Sequence, residues 1–193
     1  FFGKGTEVKA LDKVSLELFQ GESLGIVGES GCGKSTLSKC IIQLEKQTEG
    51  TIHYQGKHLE HLLSDQPLVY RKSVQMIFQD PASALNPKMR IGAILVEVMK
   101  VHSIGNNNSD RKQKAIDLLE KVGLNVEHFD RYPHEFSGGQ RQRICIARAL
   151  AVKPKLIILS QNIVMILMVI FTLNKIRFNV NYSFRWMKLS PFK

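Results

Sequence analysis

Beyond Glu135 the chain contains no aspartate, no glutamate and no histidine. Acidic and basic side chains balance up to residue 135, so the whole formal excess of +10 lies in residues 136–193. That last stretch has no carboxylate or imidazole with which to hold a metal, polarise water or relay a proton. Its cations are spread over a helix-like segment and an irregular tail, not gathered into a patch beside stacking aromatics, so nucleic acid is not expected as a partner. Cysteine is scarce: Cys32, Cys40 and Cys145 are odd in number and unpaired in spacing. This excludes a disulfide framework and a thiolate metal site, and it suits a reducing cytosol. No secretory signal is visible, and Phe1-Phe2-Gly3-Lys4-Gly5 reads as the interior of a longer chain. The longest mostly apolar run, Ile163 to Leu173, falls short of the ~20 residues needed to cross a bilayer.

What is present is ordinary globular sequence, 44% apolar and 23% charged. Val8–Leu18 and Ser23–Val27 read as strands, the second apolar enough for a buried parallel strand. Ser35–Leu44 continues as a helix. Thr51–Tyr54 reads as a strand entering a turn at Gln55-Gly56, and Val74–Phe78 as another strand. Pro81 and Pro87 break the pattern. The period then turns helical over Ile91–Val101 and Asp110–Val122, with Ser109 or Asp110 as N-cap and Gly123 as terminator. A last helix follows Gly138-Gly139 as far as about Ala151, and Leu156–Leu159 is again a strand. Strand, turn and helix, a helical insert, then helix and strand make an α/β plan with a helical subdomain.

The segment Gly28-Glu29-Ser30-Gly31-Cys32-Gly33-Lys34-Ser35-Thr36 fits the pattern G-x-x-x-x-G-K-[ST] and stands between a buried strand and a helix, the context that pattern requires. Glycines let successive backbone N–H groups converge on phosphate, and the helix directs its positive end to the same place. Lys34 would neutralise the β and γ phosphates, and the Ser35 hydroxyl would ligate Mg2+. Cys32 is a small filler in a variable position of that loop. His53, His58 and His61 cluster near a turn on an exposed hairpin, where solvated surface is the simpler reading than a metal site.

"FSGGQRQRICIARAL", Phe136 to Leu150, follows the phosphate loop by about a hundred residues and resembles the signature helix of ATP-binding-cassette (ABC) ATPases. "MIFQDPASALNP", Met76 to Pro87, and "VGLNVEHFDRYPHEFSGGQRQR", Val122 to Arg143, are similar to the oligopeptide, dipeptide and nickel importer branch of that family. The resemblance implies a P-loop NTPase core with a parallel sheet, an N-terminal antiparallel β portion and a helical subdomain. It also implies ATP and Mg2+ as cofactors. Gln79 would reach the Mg2+ and the attacking water, and Phe2 would stack on adenine, with Phe1 competing for that place and a plain core Phe the other reading. Ser137, Gly138, Gly139 and Gln140 would face the γ-phosphate held by a second ABC subunit, the same or different. Further implied partners are two transmembrane permease subunits and an extracytoplasmic solute-binding protein, with the chain peripheral on the cytoplasmic face of the membrane.

The resemblance runs over residues 1–159 and then stops. Where the family has an Asp to organise the Mg2+ shell and a Glu to polarise water, this chain has Ser160 and Gln161. A hydroxyl supplies no negative charge and a neutral amide is a poor base. The switch His of the family is absent as well. Residues 161–193 read as an aberrant tail, and a reading-frame change in an AT-rich gene fits their composition better than a membrane span or a divergent regulatory segment. The expected organisation is residues 1–81 as the first part of the ATP-binding core, 82–136 as the helical subdomain, 137–160 as the signature helix and following strand, and 161–193 as the tail. A chain truncated in this way would lack the strands that complete the sheet, bind ATP weakly and hydrolyse none. A non-transport ATPase acting on nucleic acid or ribosomes and a non-catalytic product are the alternatives.

Overall fold

The computed structural model describes residues 10–11, 14–160, 164–169 and 183–188, the last two segments by backbone alone. Strand β1, Glu22–Val27, is closed to solvent along Glu22–Ile26, with Leu24 and Ile26 fully buried. Helix α1, Lys34–Ile41, begins at the end of the glycine-rich turn, with Gly33 as its N-cap. A two-residue hairpin, β2 (His53–Tyr54) and β3 (Lys57–His58), is antiparallel and turns through Gln55 and Gly56, both at positive φ.

Two short helices follow, α2 (Leu59–Asp65) and α3 (Pro67–Ser73). Proline at the first turn of α3 fits, because its missing N–H would be unpaired there in any case. Strand β4, Val74–Ile77, leads to a one-turn helix α4, Pro81–Ala84. The helical part consists of α5 (Ile91–Val101), α6 (Asn108–Lys121) and α7 (Gly138–Leu150), and β5 (Leu156–Ser160) returns the chain to the sheet.

Strands β6 (Val164–Val169) and β7 (Ser183–Lys188) complete a five-stranded sheet in the order β4-β5-β6-β1-β7. β5 pairs parallel with β4, and β7 parallel with β1, whereas β6 is antiparallel to both β1 and β5. The direction of β6 follows from chain length. Only three residues separate Ser160 from Val164, and a parallel connection needs a crossover of roughly a dozen residues or more. β6 bridges β5 and β1, with Ser160 and Ile26 both opposite Met165. β1, β4, β5 and β7 share one direction, so the carboxyl ends of β1, β4 and β5 lie along one edge of the sheet.

Two apolar clusters divide the molecule. One joins β1, β4, β5 and the α2–α3 segment through Leu24, Ile26, Leu59, Tyr70, Val74 and Ile158. The other joins α5, α6 and α7 through Ile91, Leu95, Met99, Leu119 and Ile144, and reaches the sheet at Ile77 and Ile157.

Three local expectations are corrected. The described parts of the Val8–Leu18 strand, residues 10–11 and 14–18, join no ladder; Val14, Leu16 and Leu18 are half-buried on the first cluster while Ser15 and Glu17 are exposed, so the two-residue alternation is kept outside any sheet. The N-cap of α6 is Asn107, neither Ser109 nor Asp110. The Asn107 side chain accepts from the Asp110 N–H at 2.8 Å, which leaves Asp110 in the first turn to meet the helix dipole, accept from the Asn106 N–H and pair with Lys114. Finally, Pro81 does not merely break the pattern: with Asp80 before it, it opens α4.

Candidate functional site

The phosphate-loop residues lie beyond the carboxyl end of β1, as ligand sites do in open α/β sheets. Glu29, Ser30, Gly31 and Ser35 are exposed, Gly28 and Thr36 half-buried, and Cys32, Gly33 and Lys34 buried. Gly33 is the position where only glycine fits. Its φ is +92°, and an added Cβ would stand 2.4 Å from the Ala10 carbonyl oxygen and 2.7 Å from Leu11. Gly31 also has positive φ, while Cys32 between them does not, and such alternation turns successive N–H groups to one side.

The Lys34 ammonium folds back over this loop. It donates to the Gly28 carbonyl at 2.5 Å and the Glu29 carbonyl at 2.8 Å, and lies 3.3 Å from Cys32 Sγ. A buried cation satisfied by the loop's own carbonyls, at the head of a helix, makes a compact anion site. The Ser38 hydroxyl, fully buried one turn on, donates to the Lys34 carbonyl and fixes the start of α1.

Gln79 stands two residues past the end of β4 and is exposed. Ile77, Leu159, Ile166 and Gly25 are level with one another across four strands. Gln79 and Gly28 thus project past the same edge, three strand spacings or roughly 14 Å apart. Ser160 ends β5 between them. Ser35, Gln79 and Ser160 carry only neutral oxygens, with no carboxylate among them to offset a cation's charge. Phe2 and Gln161 lie outside the described residues.

Ser137, Gly138, Gly139 and Gln140 open α7. Ser137 and Gln140 form a reciprocal cap: the Gln140 N–H donates to Ser137 Oγ at 3.3 Å, and the Ser137 N–H donates to Gln140 Oε1 at 3.0 Å. A Cβ at Gly138 or Gly139 would meet nothing within 4 Å, and neither has a positive φ. The fold therefore does not demand glycine at either place, and what the two glycines provide is an unshielded backbone. No hydrogen bond or ion pair among the described residues joins this helix start to the phosphate loop.

The sequence reading missed the contacts around Gln79. Asp80 accepts from the Ala82 N–H at 2.9 Å and the Ser83 N–H at 3.3 Å, and these bonds, the Ala82 one foremost, hold its carboxyl below the ordinary 3.8. Arg148 donates to the Ala84 carbonyl, and Cys145 Sγ lies 4.0 Å from the Pro81 carbonyl oxygen. Burial pushes the Cys145 thiol up from its ordinary value. The D-P dipeptide was the one signal for a capped turn. The His53, His58 and His61 rings are neighbours, with centroids 4.1 and 5.8 Å apart in succession, but no group of His, Cys, Asp or Glu among the described residues is arranged to hold a metal.

A family profile described as "ABC transporter" matches residues 11–161. The chain belongs to the ABC transporter family. It is 49% identical over 161 residues to the oligopeptide transport ATP-binding protein OppF of Streptococcus mutans, a match covering 83% of this chain and 52% of that protein. It is 44% identical over 160 residues to the dipeptide transport ATP-binding protein DppF of Haemophilus influenzae, covering 83% and 49%. The chain spans about half the length of the curated relatives it matches. Among solved structures, a dimeric ATP-binding cassette in a post-hydrolysis state bound to ADP and Pi superposes with a TM-score of 0.72 at 30% identity, covering 83% of this chain and 70% of the other. The ABC match ends at residue 161, where Ser160-Gln161 depart from the acidic pair that the resemblance implies. Among the described residues no helix is long and apolar enough to cross a membrane.

Proposed function

We propose that the chain is an ATP-binding subunit of an importer of oligopeptides or dipeptides, peripheral on the cytoplasmic face of the membrane. The observation that carries the ATP-binding reading is the buried Lys34 at the head of α1, behind a Gly33 that can be nothing but glycine. The peptide class rests on the named function of the OppF and DppF relatives. Nickel, the other solute of the resembling branch, has no such support.

In this reading the backbone N–H groups of residues 31–36 hold the β and γ phosphates. Lys34 exchanges its bonds to the Gly28 and Glu29 carbonyls for phosphate oxygens. Ser35 and Gln79 supply oxygens to Mg2+, which when bound neutralises phosphate charge. Phe2 is the residue proposed to stack on adenine. Ser137, Gly138, Gly139 and Gln140 offer their unshielded helix start to a nucleotide held by a second cassette, equal or different, and two permease subunits and a solute-binding protein complete the transporter.

Hydrolysis is a separate matter. Ser160 and Gln161 present a hydroxyl and an amide where metal organisation and water polarisation call for carboxylates. The proposal is therefore binding of Mg2+-ATP without steady-state turnover. Titration of the full chain with a fluorescent ATP analogue tests the binding half: saturable binding lost in Lys34→Ala supports it, and none in the unmodified chain refutes it.

A further inference from the structure

α4 has four residues, too few to hold a helical conformation alone, so the place of the segment after Gln79 is set by what it packs on. It packs on α7. Arg141, Cys145 and Arg148 fall at i, i+4 and i+7 of that helix and share one face. The Arg148 guanidinium donates to the Ala84 carbonyl, one of the terminal carbonyls that a one-turn helix leaves without an internal partner. Cys145, 3% exposed, puts its sulfur 4.0 Å from the Pro81 carbonyl. Both contacts join residues 64 apart in sequence. At the other end Asp80 ties down the first turn of α4 through the Ala82 and Ser83 amides. Gln79 itself, between the end of β4 and the capping Asp80, is exposed, and among the described residues its side chain has no hydrogen-bond partner.

We infer that Arg148 is a positioning residue for Gln79: by pinning the C-terminal end of α4 to α7, it holds Gln79 over the carboxyl edge of the sheet, where Mg2+-ATP on the phosphate loop would be met. The inference rests on the ATP-binding reading above. α7 is at once the helix that presents Ser137–Gly139 at its N-terminus and the support against which α4 lies. A guanidinium suits this task, since its planar donors can grip a carbonyl while remaining half-buried.

The test compares the full chain with Gln79→Ala, Arg148→Ala, Arg148→Lys and the Gln79→Ala/Arg148→Ala pair, each titrated with a non-hydrolysable fluorescent ATP analogue in Mg2+ and in EDTA. The unmodified chain is expected to bind more tightly in Mg2+, by roughly three- to tenfold. Gln79→Ala and Arg148→Ala should each lose that gain, and Arg148→Ala should bind in EDTA within twofold of the parent. The pair should be no worse than Gln79→Ala alone, and Arg148→Lys should recover part of the gain. Full Mg2+ enhancement in Arg148→Ala, equal weakening with and without Mg2+, or additive losses in the pair would overturn the inference while leaving ATP binding intact. No nucleotide binding by the unmodified chain would overturn the functional reading, and the inference with it.

If Arg148→Ala does not fold, alkylation of Cys145 in the unmodified chain, followed by mass spectrometry, decides instead. The Mg2+-bound analogue should slow alkylation there and the analogue in EDTA should not; equal rates would refute the inference.

Discussion

Ser160, the last residue of β5, and Ile26, one residue before the end of β1, stand opposite the same residue, Met165 of β6, from its two sides. The neutral hydroxyl at 160 is thus at the edge from which the phosphate loop leaves, about two strand spacings or ~10 Å across the sheet. In the ATP-binding reading proposed above, a carboxylate introduced there would face Mg2+ held with the nucleotide. Ser160→Asp is expected to strengthen the Mg2+ enhancement of nucleotide binding roughly tenfold, as charge-assisted bonds do. The ratio of dissociation constants in Mg2+ and EDTA measures it, and an unchanged ratio would place residue 160 outside the metal's reach.

The glycines divide into two classes that substitution separates. Gly33→Ala drives a Cβ into the Ala10 carbonyl from a left-handed backbone, so the loop must break: a loss of about 1–3 kcal/mol, seen as a lower melting temperature together with lost nucleotide binding. Gly138→Ala meets empty space on a helix, so stability should hold or rise by up to about 1 kcal/mol. If Gly138→Ala melts the protein as Gly33→Ala does, its glycine serves the fold and not an external contact.

Core truncation tells the two clusters apart. Leu95→Ala in α5 and Leu24→Ala in β1 each remove a fully buried side chain and should cost about 2–5 kcal/mol. Chemical denaturation measures both. Because β4 and β5 give alternate residues to the two clusters, Ile77 and Ile157 to one and Val74 and Ile158 to the other, a single transition is expected in each case; two resolved transitions would mean that the helical part unfolds independently.

Acid acts through Asp80 and Asp110. Both carboxyls are held below their ordinary values, Asp80 first by the Ala82 N–H and Asp110 first by the Lys114 ammonium. A depressed folded value means that stability is present above the unfolded value of roughly 3.9 and is lost as pH falls through the folded value. Asp80→Asn should therefore lower the melting temperature in the neutral range and converge with the parent below about pH 4, which makes its acid limb shallower. An identical acid limb in the variant would show that the Asp80 cap is not coupled to folding.

Much of this was legible in the residues because the signals were local. The phosphate loop combines glycine spacing with a buried strand before it and a helix after it, the α5 helix has the expected bounds Ile91–Val101, and α6 follows its apolar stripe with boundaries displaced by two residues at the start and one at the end. The start of α6 was misplaced because the five polar residues from Asn106 to Asp110 can each cap, and only the geometry selects Asn107. The α4 latch was not legible, since Arg148 and Ala84 meet across 64 residues and no period connects them. Nor was the insertion of β6, whose place between β1 and β5 depends on a connection too short to cross the sheet.

The central claim is that the chain holds ATP but does not turn it over. Phosphate release from Mg2+-ATP by the full chain, measured at a concentration where nucleotide binding is independently shown to be saturated, tests it most directly. The account predicts bound nucleotide with phosphate release no faster than in Lys34→Ala; Mg2+-dependent release that Lys34→Ala abolishes would contradict it.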